Sequence, residues 1–193
     1  MVHWKRTVDP VAEPVLLEEL RDHIRHEDTE VDLAYLHAVI NAARTAVEEQ
    51  LGRALITQTW RLTLDRFPCV VRLPRPPLQS VTSIQYVDTD GATQVLSSAL
   101  YRVDTNSEPA RIEPAYGESW PSTRGVIGAV TVTFVAGYGD VGAAVPELIR
   151  HWIKVLAGTM YEHREEVITG TIAIPVGFVP DAALGAYKFI WHP

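Results

Sequence analysis

Between Leu33 and Asp65 the apolar period of the chain changes once, from that of a helix to that of a strand, and this switch constrains the fold more than any other feature. Leu33, Leu36, Ile40, Ala43, Val47 and Leu51 recur at helical spacing, and Gly52 follows as a stop. From Ile56 the period is about two: Ile56, Gln58, Trp60, Leu62 and Leu64 alternate with Thr57, Thr59, Arg61, Thr63 and Asp65. A helical pattern does not sit still as a strand, so a helical layer must hand over to a sheet at this junction. Ala34, Ala38, Ala42, Ala43 and Ala46 raise the propensity of the helix and let a neighbouring helix approach closely, in the same subunit or the next.

The flanking segments extend the same plan. Leu17, Leu20 and Ile24 mark one face of an earlier helix, with Pro14 suited to its first turn and His26-Glu27-Asp28 closing it. Thr29 and Asp32 stand at capping-box spacing before the second helix, with Asp in place of the usual Glu or Gln. After the first strand, Pro68 and Pro74-Arg75-Pro76-Pro77 leave Cys69 to Leu73 as a short strand entering an extended corner. Ser83 to Val87 and Thr93 to Leu96 flank Asp88-Thr89-Asp90-Gly91, a hairpin turn. Tyr101 to Val103 and Arg111 to Pro114 are further short strands, and Val130 to Val135 is the cleanest. Pro146 opens a helix through Leu148, Ile149, Trp152, Val155, Leu156 and Met160 to about Glu165. Thr169 to Pro180 reads as an extended arm or small hairpin, and Asp181 caps a short helix carrying Leu184, Tyr187 and Ile190. The expectation is an α+β fold: a helical core from N- and C-terminal helices with an inserted antiparallel β-rich lobe and an extended C-terminal arm. As a single unit over 1–193, it divides into N-terminal helices at 12–53, a β-rich insertion at 54–140, a long helix at 145–166 and an arm and tail at 167–193.

Composition narrows function by exclusion. A hydrophobic content of 47% over 193 residues suits one substantial core. No apolar run reaches the roughly 20 residues that span a bilayer, and no signal-peptide core follows Met1 to Arg6, so no membrane partner and synthesis in the cytoplasm are expected. The net charge of −7 speaks against a protein whose main task is gripping nucleic acid, while an acidic surface would let a transient duplex slide past. Cys69 is the only cysteine and offers neither a disulfide nor a metal framework.

Candidate chemistry is thin. His23 and His26 lie three apart on a helix with His37 nearby, yet Asp22, Arg25, Glu27 and Asp28 around them describe a solvated helix end. Asp88, Asp90 and Gly91 lack the Glu that a calcium loop needs. Glu162, Glu165 and Glu166 with Arg164 read as a solvated face, and His163 suits a helix C-terminus. The sequence holds no nucleophile elbow, phosphate loop or dinucleotide fingerprint. Aromatic residues are more telling: Tyr116, Trp120, Tyr138, Tyr187 and Trp191 fall in loops or at the tail, where such residues either seal sheet edges or anchor interfaces. Tyr187-Lys188-Phe189-Ile190-Trp191 crowds apolar groups at a chain end, and an apolar end needs a partner.

Several stretches, in order along nearly the whole chain, carry a resemblance. They are Ala42 to Trp60, then Leu73-Pro74-Arg75-Pro76-Pro77-Leu78-Gln79-Ser80-Val81, and Tyr101-Arg102-Val103-Asp104 with Arg111-Ile112 and Pro114. Phe134-Val135-Ala136-Gly137-Tyr138-Gly139 with Val145-Pro146, and Tyr161-Glu162-His163-Arg164-Glu165, complete the set. Together they resemble the head-to-tail connector, or adaptor, proteins of long-tailed phages and related gene transfer agents, in the subgroup with a β-rich insertion. The resemblance implies a structural, non-enzymatic virion protein without cofactor or metal. It implies a ring, typically of twelve subunits, that sits under the portal protein in the particle neck and assembles in the host cytoplasm. Such a ring extends the channel through which double-stranded DNA passes, and it presents the platform for the next neck protein, a stopper, or the tail. The family's C-terminal segment reaches toward the portal, and by position that role falls on Leu184, Tyr187, Lys188, Phe189, Ile190 and Trp191. Where the family closes near a Tyr followed by Arg, this chain has Tyr187-Lys188 and continues to Pro193. A stopper or tail-completion neck protein is the alternative within structural proteins. From another class, a small metal-dependent or hydrolytic enzyme would use His23, His26 or the Glu162 group.

Overall fold

The computed structural model describes residues 2–24, 33–163 and 184–191. In chain order the elements are β1 (Val2–Val8), α1 (Leu17–Ile24), α2 (Leu33–Leu51), β2 (Gln58–Leu64), β3 (Val71–Leu73), β4 (Leu78–Val87) and β5 (Thr93–Val95). There follow β6 (Tyr101–Asp104), β7 (Ala110–Pro114), β8 (Val130–Ala136) and α3 (Glu147–Glu162). The chain is α+β, as its periodicities require. The switch of period falls where expected: Gly52, with φ of 67°, ends α2, and β2 begins at Gln58.

Two cores result. The helical core joins Leu20 of α1, Leu36, Ile40, Val47 and Leu51 of α2, and Ile149, Ile153 and Leu156 of α3. The β core lies between a five-stranded sheet of order β1-β2-β8-β4-β5 and a three-stranded sheet of order β3-β7-β6, and it is filled by Leu62, Ile84, Val132 and Phe134 from one and Val71, Leu73 and Ile112 from the other. All pairings between these strands are antiparallel. β1 adds to the edge of the large sheet beside β2, from a position in the chain ahead of the helices.

The outer face of the large sheet is hydroxyl-rich. Register aligns one row as Lys5, Arg61, Thr133 and Ser83 and the next as His3, Thr63, Thr131 and Gln85 across β1, β2, β8 and β4.

The proline corner ties the two cores together. Ala54 N–H donates to the Pro76 carbonyl at 3.1 Å, and Gly137 N–H donates to the Pro77 carbonyl at 2.9 Å. Arg75 reaches the last turn of α2, donating to the Glu48 carbonyl at 3.1 Å and to both Glu49 carboxylate oxygens, a cation placed at the negative end of a helix. Deeper in the junction, buried Arg44 donates to Glu13 at 2.7 Å and Glu48 at 3.0 Å, while Glu48 also accepts from Gln58 and from Leu55 N–H. This polar knot fastens the segment before α1, α2 and β2 to one another.

Some expectations shift. Pro14 lies ahead of α1 rather than in its first turn, because Glu19 accepts from Leu16 N–H and starts the helix at Leu17, while the Pro14 carbonyl is taken by Arg150 Nε at 3.0 Å. α3 gives way at His163, whose N–H donates to the Thr159 carbonyl at 3.0 Å. Near the C-terminus the helix expected over Leu184 to Ile190 is a single 3₁₀ turn, Gly185–Tyr187, followed by extended chain. The predicted helix stop at 26–28, the capping pair Thr29 and Asp32, the arm at 169–180 and the Asp181 cap lie outside the described residues.

Candidate docking interface

The tail residues singled out from sequence are brought together on the junction between the two cores. Leu184 is buried in the helical core, and Tyr187 packs against that core half-buried. From there the chain runs across the end of α2: Phe189 N–H donates to the Leu51 carbonyl at 2.7 Å, and Arg53 Nε donates to the Tyr187 carbonyl. Gly52 makes this path available, since a Cβ at that position would stand 2.3 Å from the Phe189 carbonyl oxygen. Beyond it, Trp191 meets Trp4 of β1 edge-on, ring centroids 5.5 Å apart, and Phe189 lies 6.4 Å from Trp191. Lys188 and Ile190 point the other way and are exposed, Ile190 at 63%.

Arg53 is the centre of this clamp, a buried guanidinium at the foot of α2. It forms a two-pronged pair with Glu108, from the loop between β6 and β7, with Nη1 to Oε1 at 2.8 Å and a second bond from Nη2 to Oε2. Burial alone would lower its pKa, but the Glu108 hydrogen bond and charge, together with Tyr138, outweigh that and hold it more firmly protonated than a free arginine. Burial pushes the Tyr138 phenol up. A planar fork suits this place because it meets both oxygens of a carboxylate with two nitrogens and keeps Nε for a carbonyl, whereas a lysine offers its donors from a single atom. Sequence reasoning did not single out Arg53 or Glu108. Nothing local marks them, because their partners lie 134 and 55 residues away.

Next to the tail is an open groove of about 1060 Å³, with Trp191 in one wall. Val2, Leu64 to Arg66 and Pro68 to Arg72 line much of it, together with Ile127, which is 90% exposed. Of the loop aromatics, Trp120 is spent within the fold: it stacks on Phe67 at 4.7 Å and its Nε1 donates to the Cys69 carbonyl. Tyr116 is 96% exposed.

The other candidates do not converge. His23 faces His151 across the contact of α1 with α3, centroids 6.2 Å apart, while His37 is exposed on α2 and His26 lies outside the described residues. Asp88 spends its carboxylate on the turn itself, accepting from Asp90 N–H, Ala92 N–H and the Gln94 amide. Glu162 is exposed at the end of α3, and Glu165 and Glu166 lie outside the described residues. Among the described residues no group of three or more His, Cys, Asp or Glu could hold a metal ion, and no helix there is long and apolar enough to cross a membrane.

The arrangement can hold a chain segment and present its outer side. The sequence matches no protein-family model and no curated protein. In three dimensions it is similar to a chain of a structure described as the neck of an empty GTA particle computed with C6 symmetry, with a TM-score of 0.79 and 25% identity over 99% of this chain and 97% of that one. It is similar too to a chain of the virion of a native gene transfer agent particle, with a TM-score of 0.78 and 25% identity over 98% and 97%. A third likeness, to a chain of the neck of a native GTA particle computed with C12 symmetry, has a TM-score of 0.70 and 28% identity over 100% and 97%.

Proposed function

We propose that this chain is a structural subunit of the neck of a gene transfer agent or related tailed particle, where it forms a ring beneath the portal as the head-to-tail adaptor. The observation that carries the reading is the likeness to neck chains across 99% of this chain and 97% of the other, which spans both cores and the tail. The C6 and C12 symmetries of those necks support a ring in the particle. The adaptor role in particular rests on the sequence resemblance set out above. In this reading the ring surrounds the path of the passing duplex and offers its free side to a stopper or to the tail.

Within the tail the roles divide by burial. Leu184, Tyr187, Phe189 and Trp191 seat the segment on its own subunit, and Lys188 and Ile190, on its exposed side, meet the portal together with the neighbouring groove. Burying an exposed side chain such as Ile190 contributes about 25 cal/mol per Å² of apolar surface removed from water, enough for one contact repeated around a ring to add up. Deleting everything after Pro180 would also strip the helical core of Leu184, so the sharper test is a pair of surface substitutions. Lys188→Glu combined with Ile190→Asp should leave a folded protein that no longer sediments with portal-containing heads. Unchanged association with those heads would remove the tail from the portal contact.

A further inference from the structure

Lys5 and Arg61 lie directly opposite one another on β1 and β2, on the outer face of the large sheet, and both side chains are exposed. Among the described residues neither makes an ion pair. Like charges placed directly across a strand pair repel and cost stability. The small sheet meets the same problem and solves it internally: Arg111 lies opposite Arg72, and Asp104 of β6 accepts from Arg111 at 2.8 Å. Around Lys5 and Arg61 the aligned rows supply hydroxyls, an imidazole and an amide but no carboxylate, in a chain with 24 acidic residues against 17 basic ones. The complementary feature is on the helical side. Glu18 and Asp22 of α1 are exposed carboxylates that, among the described residues, have no ion-pair partner.

We infer that the Lys5–Arg61 face docks against the acidic α1 surface, Glu18 and Asp22, of a second copy of this chain, as the repeating contact of its ring. The inference rests on the ring reading given above and names the surfaces that build it. A contact between two different surfaces of identical subunits is head-to-tail, the kind that closes into a ring when the rotation permits. Carboxylates from the neighbour relieve the cross-strand repulsion, and the adjoining hydroxyls can donate to them. The bare charges on each surface also disfavour stacking like surface on like, which sets the direction of assembly.

The test is sedimentation velocity of the full chain over a concentration series, with circular dichroism as a check on folding. The wild type should self-associate at about 50 mM salt and at least about tenfold more weakly at about 500 mM, since exposed charges are screened. Lys5→Glu with Arg61→Glu should weaken association about tenfold or more, as should Glu18→Lys with Asp22→Lys, and combining all four should restore it. A wild type that stays monomeric at low salt, or a Lys5→Glu/Arg61→Glu variant that associates like the wild type, would overturn the inference. So would failure of the fourfold exchange to restore association, or loss of duplex-DNA binding by that double variant with association unchanged, which would make the face a nucleic-acid surface. Recovery of the wild-type chain from purified particles is read separately: its absence from necks would defeat the neck assignment and leave the subunit contact standing.

Discussion

Gly52→Ala isolates the seat of the tail from the rest of the fold. The residue has φ of 67°, and the added Cβ would stand 2.3 Å from the Phe189 carbonyl oxygen. Two costs follow. The left-handed backbone costs a side-chain-bearing residue about 1–2 kcal/mol, of which about 0.4–1 kcal/mol is recovered from the less flexible unfolded chain. The carbonyl must also retreat by about 1 Å to reach ordinary contact distance. That movement breaks the 2.7 Å bond from Phe189 N–H to the Leu51 carbonyl, worth about 1 kcal/mol, and loosens the grip of Arg53 on the Tyr187 carbonyl. Gly117 provides the control, having φ of 81° and no atom within 4 Å of the position its Cβ would take. Gly117→Ala therefore carries the backbone cost alone. The contact with the tail should make Gly52→Ala the more destabilising by about 1–3 kcal/mol, or about 4–8 °C in Tm for a 2 kcal/mol difference in a chain of this size. Thermal melts give that difference, and hydrogen exchange over residues 184–191 should speed up in Gly52→Ala only. Equal melting of the two variants with unchanged exchange in the tail would refute the seat described here.

Two further predictions concern the helical part. Arg44→Met leaves Glu48 buried with a charge that Gln58, Leu55 N–H and a distant Arg6 at 3.6 Å only partly offset, and urea unfolding should register a loss of about 3–5 kcal/mol. His23 has its pKa lowered by burial, then by His151 and Lys154, so the unfolded chain takes up a proton before the folded one does. Stability should therefore begin to fall as pH drops below the ordinary histidine value of about 6.5 and go on falling until the folded pKa is passed, and His23→Gln should flatten that slope in melts across the range.

The junction at Gly52 was legible because a glycine between two clear periods declares itself locally. So did the hairpin turn, where Asp88 caps the backbone of its own loop. β1 was not recognised as a strand, although Val2 and Trp4 alternate with His3 and Lys5. As an edge strand with little apolar surface it is held by pairing with β2, and Lys5 and Arg61 are 56 positions apart in the chain, so no local window contains the cause. The tail shows the same limit from the other side. Crowded apolar residues at a chain end did mark a segment in need of a partner, and much of that partner is the chain itself, through Leu51, Gly52, Arg53 and Trp4. Arg53 and Glu108 escaped notice because a lone arginine after a helix and a lone glutamate before a proline become a clamp only once two lobes and a tail meet.

The division of the tail into a buried seat and an exposed edge gives the neck assignment a physical form. On the proposed reading of the tail as the portal contact, a subunit that arrives with that segment already held loses less conformational freedom on binding than one whose segment must order at that moment. The most direct measurement is electron microscopy of the purified portal of a gene transfer agent or related tailed particle mixed with the full chain and no other neck protein. The account predicts a ring of this chain bound beneath the portal, with Lys188 and Ile190 on the side that meets it. A portal that stays bare until another neck protein is added would contradict the adaptor role and assign the chain to a later layer of the neck.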